Sequence, residues 1–337
     1  MVTICTAVVL AVAGCTSSPP APRRTNTIVT DCMGHMTSID RPPRRVVTLT
    51  SSVLEMLFWL GAEDLVVGTG TPPSPGDFPR RYESEAFRIP RLSDAYKAGA
   101  YTPVPAKTLL GAEPDLVVGG FPSNFMSSGA LGQQELAAQG IASYLAFSTA
   151  CPDENVGPQN DLTLVHRDLL NLGKLLGMER RANRLVADMK AKENAAAAKV
   201  KGAKRPSVFA FEYNEGTRRP VVAGNRQTIN AVIRMAGGMN AFADVNTAYQ
   251  DMDWARVRKR DPDVILVIVY AMSTSEETRE EFQKAERFLR TSPATRTMRA
   301  VRKRSFVRLV YEQGSVGGVR NANAVTALAE GLHPERY

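Results

Sequence analysis

The sequence predicts an α/β protein of two Rossmann-like lobes with central, mostly parallel sheets, joined by one long α-helix. Short apolar runs of strand length alternate with helical stretches in both halves. Runs that are apolar throughout belong to strands covered on both faces. Between residues 162 and 200 that alternation stops, and apolar residues recur at helical spacing instead. A weak internal repeat relates the two halves. GAEPDLVVGG at 111–120 parallels KRDPDVILVI at 259–268, each a helix end, an acid-Pro-Asp turn and a buried strand.

In chain order, 27–30 and 37–39 flank Met33-Gly34-His35 and read as a β-hairpin, closed off by Pro42-Pro43. Residues 45–50 form a strand. Ser51 or Ser52 caps a helix over 53–60, Gly61 ends it, and 65–68 is the next strand. The pattern continues with helix 105–111, strand 115–118, helix 131–139 and strand 143–147. Leu162, Val165, Leu169, Leu172 and Leu176 mark a helix that Gly177 interrupts. A second helix over 179–200 carries Ala182, Leu185, Val186 and Met189 on one face, and would be about 33 Å long. Alternation then resumes: strand 207–211, helix 228–236, a helix or turn at 254–259, strand 264–269, helix 276–289, strand 306–310 and helix 321–331. The resulting division is an N-terminal lobe over 27–160, a helical connector over 161–203 and a C-terminal lobe over 204–337. A ligand is expected between the lobes, at the strand ends.

The 337 residues, 44% hydrophobic and 23% charged, have the composition of a globular protein long enough for two domains of ordinary size. The net charge of +8 raises the question of nucleic acid. However, the basic residues are scattered as pairs such as Arg44-Arg45 and Arg218-Arg219, without interleaved aromatics, so no nucleic-acid partner is expected. Arg302-Lys303-Arg304, the densest run, reads as a solvated face. A basic surface favours anionic ligands and anionic head groups.

The N-terminus ends an oily run at Cys15 and continues as Thr-Ser-Ser-Pro-Pro. Fourteen residues before Cys15 are too few to span a bilayer, which takes about twenty. The polar, proline-rich stretch after Cys15 can neither pair in a sheet nor pack. Residues 1–14 therefore read as an export signal and 15–26 as a disordered tether. The ending Val12-Ala13-Gly14-Cys15 resembles the bacterial lipoprotein signal. That resemblance implies lipid attachment at Cys15 and a protein exported and anchored to the outer face of the cytoplasmic membrane. Cys5 leaves with the leader and Cys15 takes the lipid, which leaves Cys32 and Cys151 as an even pair in an oxidising compartment. A disulfide between them is expected; two buried thiols are the alternative. No CxxC or CxxH spacing exists to suggest a zinc site.

Seven stretches together carry a wider resemblance: PRRVVTLT, LGAEDLVVG, AEPDLVVGG, LAAQGI, MAGGMNAF, RDPDVILV and the terminal LHPERY. In this combination the chain resembles the helix-linked (class III) substrate-binding proteins of ABC importers for ferric siderophores, haem and cobalamin. The resemblance implies a monomeric, non-catalytic receptor that captures a metal chelate and delivers it to an ABC permease in the cytoplasmic membrane. It implies no cofactor, because the metal arrives within the chelate. Loops at the strand ends would hold the ligand. In the first lobe these are 50–52, the loop 69–76 and 121–125, with Ser51 and Phe121 as contacts. In the second they are 213–219, 225–226, 249–254, Tyr270 and 312–320, with Tyr213, Arg218, Arg226, Tyr249, Trp254, Tyr270 and Arg320 as contacts. Guanidinium groups pair with carboxylate or catecholate oxygens, while aromatic rings cover flat faces. Relatives carry an exposed glutamate on each lobe for permease docking. Glu135 is the candidate in the first lobe, and Asp253 stands in the second, where no glutamate occurs near Trp254.

A competing reading is an exported, lipid-anchored α/β hydrolase. Gln-Gly-Ser-Val-Gly at 313–317 misses the nucleophile-elbow spacing by one residue. Its base would have to be His35, His166 or His333, which fall in a hairpin turn, on a helix and near the C-terminus. The same scatter argues against a zinc or manganese receptor, which needs converging imidazoles. Gly-Thr-Gly-Thr-Pro-Pro at 68–73 lacks the third glycine of a dinucleotide fingerprint and has two prolines where a helix should open.

Overall fold

Two four-stranded parallel sheets carry the fold, and both are wound in the same order. A computed structural model describes residues 26–71, 73–93, 103–149, 151, 156–215 and 217–337. The expected export signal, Cys15 and nearly all of the expected tether lie outside the described residues.

The first lobe opens with an antiparallel hairpin, β1 (Thr27–Thr30) and β2 (Met36–Ile39). Its sheet uses β3 (Val46–Thr48), β4 (Val66–Thr69), β5 (Leu116–Gly119) and β6 (Ala142–Leu145) in the order β4-β3-β5-β6. Between them run α1 (Ser51–Leu60), α2 (Arg80–Ala86), α3 (Ala106–Gly111), α4 (Ser123–Met126) and α5 (Gln133–Ala138). The connector is α6 (Thr163–Leu175) followed by α7 (Glu179–Lys199). The second lobe contains β7 (Ser207–Glu212), β8 (Val221–Ala223), α8 (Thr228–Met235), β9 (Met239–Asn240), β10 (Tyr249–Asp251) and α9 (Trp254–Arg260). After these come β11 (Val264–Val269), α10 (Ser275–Thr291), α11 (Arg299–Lys303), β12 (Phe306–Val310), α12 (Tyr311–Gly314) and α13 (Asn321–Leu332). Its sheet runs β12-β11-β7-β9, so each lobe places its third sheet strand beside its first.

The sequence repeat corresponds to one structural device used twice. Glu113 and Asp261 both end a helix in the left-handed conformation, at φ 46° and 41°. Two residues on, the aspartate ties the third sheet strand to the first. Asp115 accepts from the backbone N–H of Arg44 and Arg45 at 2.8 Å, and Asp263 from that of Ser207 at 2.9 Å. Their own N–H groups return to the Arg45 and Ser207 carbonyls.

Helix α7 has 21 residues, about 32 Å at 1.5 Å per residue. Its buried stripe is Ala182, Val186, Met189, Glu193 and Ala196. It packs on α1 and α6 at the first-lobe side and on α8 and α13 at the second. Glu193 is tolerated there because the buried His166 of α6 meets it at 2.9 Å. One hydrophobic core consequently runs from the first sheet through the connector to the inner face of the second sheet. The outer face of the second sheet has its own core, built on Phe209, Phe211, Phe242, Trp254 and Phe282.

Sequence patterns gave no sign of α2, α4, α11, α12 or the β8–β10 ribbon, all of them short. The ribbon pairs Val221 with Asp251 and Ala223 with Tyr249 over only three residues, and Gln250 and Asp251 are polar and exposed. Three residues give no legible alternation.

The N-terminal hairpin covers the open edge of β6. Asp31 accepts from the N–H groups of Met33 and His35 within its own turn and from that of Leu145 on β6. The Cys32 N–H donates to the Leu145 carbonyl, and a disulfide joins Cys32 to Cys151 with a Cα–Cα distance of 5.6 Å. That bond closes a chain loop with a sequence separation of 119 residues, so its removal should free much unfolded-state entropy. Replacing both cysteines by serine is expected to lower the unfolding free energy by about 2–4 kcal/mol in denaturant titration.

Candidate ligand cleft

The loops at the strand ends of one lobe meet those of the other. Ser148, after β6, faces Gly317, between α12 and α13; a Cβ at 317 would lie 2.5 Å from the Ser148 Cβ. Gly76, after β4, faces Ala271, after β11, where an added Cβ would sit 2.7 Å from the Ala271 Cβ. Only glycine allows the backbones this close, and Gly76 also has φ 86°. The Thr228 hydroxyl at the start of α8 donates to the Ser148 carbonyl. Gln159 exchanges backbone and side-chain bonds with Asn225, Arg226 and Asn230.

At the centre of the junction, Arg320 reaches from the start of α13 to Glu55 on α1. Its Nη2 donates to one Glu55 carboxylate oxygen at 2.8 Å and also to the Asp77 carbonyl, while its Nε lies 2.8 Å from the other carboxylate oxygen as an ion pair without hydrogen-bond alignment. Both side chains are buried, Arg320 at 7% and Glu55 at 4% exposure. Trp59 Nε1 donates to Glu55 at 2.9 Å. Two further carboxyl groups stand beside the pair. Asp77 accepts from the Ser74 N–H, and burial pushes its pKa up to about 6 against the pull of Arg320. Glu312 accepts from the Ala271 N–H, and burial with the charge of Asp77 pushes it up to about 7. Glu55 is raised as well, by burial opposed chiefly by Arg320.

Beside this junction a groove of about 720 Å³ opens between the lobes, within the usual size of small-molecule sites. Trp59, Phe78 and Arg81 line the first-lobe wall; Met272, Thr278 and Phe282 line the opposite one. Arg81 lies 4.1 Å over the Trp59 ring and 4.6 Å over Tyr82, which holds a guanidinium at the wall. Arg279, Arg308 and Arg320 also border the groove. The first two are partnered by Glu276 and Glu286 on α10. An aromatic wall with an arginine rim suits a ligand that is both flat and anionic.

Of the contacts expected from sequence, Arg320 lines this groove. Ser51 and Phe121 stand half-buried at strand ends of the first lobe. Tyr213, Tyr249 and Tyr270 do so in the second. Tyr270 packs edge-on against Tyr311 at 4.8 Å. Tyr249 turns its hydroxyl toward Glu212, and burial together with that charge raises its pKa well above the ordinary value. Arg218 is exposed. Arg226 donates to the Val156 carbonyl and to Asn246, so it holds the segment leaving the first lobe. Trp254 must be corrected from ligand contact to core residue. It is 7% exposed, its N–H is taken by the Thr217 carbonyl, and its ring packs among Phe209, Phe211 and Phe288. Glu135 is exposed and caps its own helix through the Gly132 N–H. Asp253 is exposed and lies 3.5 Å from Arg219.

The hydrolase constellation does not assemble. Ser315 is buried and donates to Glu212 at 2.6 Å, while His166 is held by Glu193 in the connector. His35 lies in the hairpin turn, and His333 stands just past α13.

Sequence reasoning missed Glu55, Trp59, Asp77 and Arg81, while Glu312 opens the stretch 312–320 expected at the strand ends. Glu55 was readable in principle as the one ionisable residue of Ser-Ser-Val-Leu-Glu-Met-Leu-Phe-Trp-Leu. A charge on an otherwise apolar, buried helix needs a partner. Substituting Arg320→Met would strand that carboxylate and should cost about 3–5 kcal/mol in unfolding free energy, with most of the loss recovered in the Glu55→Gln/Arg320→Met double variant.

Comparison with known proteins places this geometry. The profile described as periplasmic binding protein matches residues 46–310. A cobalamin-binding protein of Halobacterium salinarum is 26% identical over 261 residues, 76% of this chain, and this chain spans about 60% of that relative's length. A periplasmic binding protein structure from Veillonella parvula superposes with TM-score 0.74 at 22% identity, covering 89% of this chain and 94% of that one. An ABC-type Fe3+-hydroxamate transport structure from Saccharomonospora viridis gives 0.72 at 19% identity, covering 91% and 99%. The two-lobe, helix-linked fold is theirs, and with most of its length matched, the chain belongs to the periplasmic binding protein family.

Proposed function

We propose that the protein is an extracytoplasmic receptor of an ABC importer that takes a metal chelate between its lobes and passes it to a membrane permease. A lipid on Cys15 would hold it, as a monomer, at the outer face of the cytoplasmic membrane. The observation that carries this reading is the inter-lobe groove of about 720 Å³ with Trp59 and Arg81 on one wall. Cobalamin and ferric siderophores are the first ligands to try, because relatives are named for cobalamin and Fe3+-hydroxamate. Haem, planar and carrying two propionates, matches the aromatic wall and arginine rim. The metal would enter inside the chelate, with no cofactor of the protein's own.

The chain has two tryptophans, and they report on different places. Trp59 lines the groove, whereas Trp254 is in the outer core of the second lobe. Titration with cobalamin, a panel of ferric siderophores and haem should give saturable quenching by one class. The quench should persist in Trp254→Phe and vanish in Trp59→Phe. Silence across the panel, or equal quenching in Trp59→Phe, would remove the reading.

A further inference from the structure

Three carboxyl groups at the lobe junction, Glu55, Asp77 and Glu312, stand outside the lining of the groove. Glu55 and Asp77 come from the first lobe, Glu312 and Arg320 from the second. Arg320 pairs with the Glu55 carboxylate and donates to the Asp77 backbone carbonyl, while Glu312 accepts from the N–H of Ala271, which packs on Gly76 next to Asp77. Such a cluster is balanced in only one protonation state. With Asp77 and Glu312 neutral, the Glu55–Arg320 pair is electrically closed. With both ionised, four negative charges (Glu55, Asp77, Glu83 and Glu312) confront two positive ones (Arg81 and Arg320).

We propose that Glu55, Asp77, Glu312 and Arg320 form a pH-sensitive latch, which holds the lobes together when Asp77 and Glu312 carry protons and loosens them when both ionise. Its use in ligand release rests on the receptor reading, but the latch itself does not. Each group has defined neighbours. Glu55 faces Arg320, Trp59 and Arg81; Asp77 faces the Ser74 N–H, Arg320, Glu55 and Glu83; Glu312 faces the Ala271 N–H, Asp77 and Arg320. Arg81 and Glu83 both come soon after Asp77 in the chain, so the loop after β4 is where the imbalance would be felt.

The direction comes from linkage. A carboxyl group whose pKa is raised in the closed arrangement stabilises that arrangement fully below its ordinary value, and loses the contribution as pH rises through the raised one. For Asp77 the window runs from 3.8 to about 6, and for Glu312 from 4.5 to about 7. The lobes are therefore latched most firmly below about pH 4, loosened progressively across the two windows and freed above neutrality.

The test uses ligand-free full-length protein carrying Trp254→Phe, in which Trp59 beside the latch is the single reporter. Acrylamide is the quencher, since its neutrality removes any direct effect of pH on the encounter. Between about pH 4 and pH 8 the quenching constant should rise at least about twofold, with the rise falling within the two windows and complete by about pH 7. In Asp77→Asn/Glu312→Gln it should stay low and flat. Should that double variant fail to fold by circular dichroism, Glu312→Gln alone should abolish the upper part of the rise. A flat profile in the parent, or an unchanged rise in the variants, overturns the latch. Since no chelate is present, that result is independent of whether the ligand panel succeeds.

Discussion

Helix α7 is shared property of both lobes. Its buried stripe from Ala182 to Ala196 packs on first-lobe helices at one end and second-lobe helices at the other, so neither lobe completes its core without it. A 21-residue helix fixed at both ends resists the wide hinge rotation that a flexible linker would allow. The lobes are held at a set spacing, and the loops after the strands decide what happens in the gap. That is why the close contacts concentrate there: Gly76 on Ala271, Gly317 on Ser148, and Arg320 on Glu55.

The same arrangement explains why a groove and a charged junction lie side by side. Trp59 belongs to both. Its indole N–H fixes the Glu55 carboxylate, and its face supports Arg81 at the groove wall. A molecule resting on that wall and the ionisation of the junction thus act on one side chain. Small relative movement of the lobes would be sufficient to couple them, which suits a receptor whose connector permits little more.

Much of the architecture was legible because parallel strands buried on both faces announce themselves as apolar runs. Val264–Val269 and Phe306–Val310 were readable to the residue. The repeat around Pro114 and Pro262 also marked real equivalence, since both acids adopt the same turn and both succeeding aspartates brace the first sheet strand. The groove was less legible. Of the contacts placed at strand ends, Arg320 lines the groove, but Trp254 was drawn into the core by Phe209, Phe211 and Phe288. Aromatic content alone does not separate those two fates. Trp59 and Arg81 lie on helices rather than at a strand end, and only tertiary packing brings them to the groove. Glu55 carried the one sequence signal that was there to read, a lone charge on an apolar helix.

The central claim is that a metal chelate binds between the lobes. Anomalous diffraction at the metal edge, from crystals grown with whichever chelate quenches Trp59, tests it most directly. The account predicts one dominant metal peak in the groove between Trp59 and Thr278. A fully occupied peak on an outer face of either lobe, with the groove empty, would contradict it.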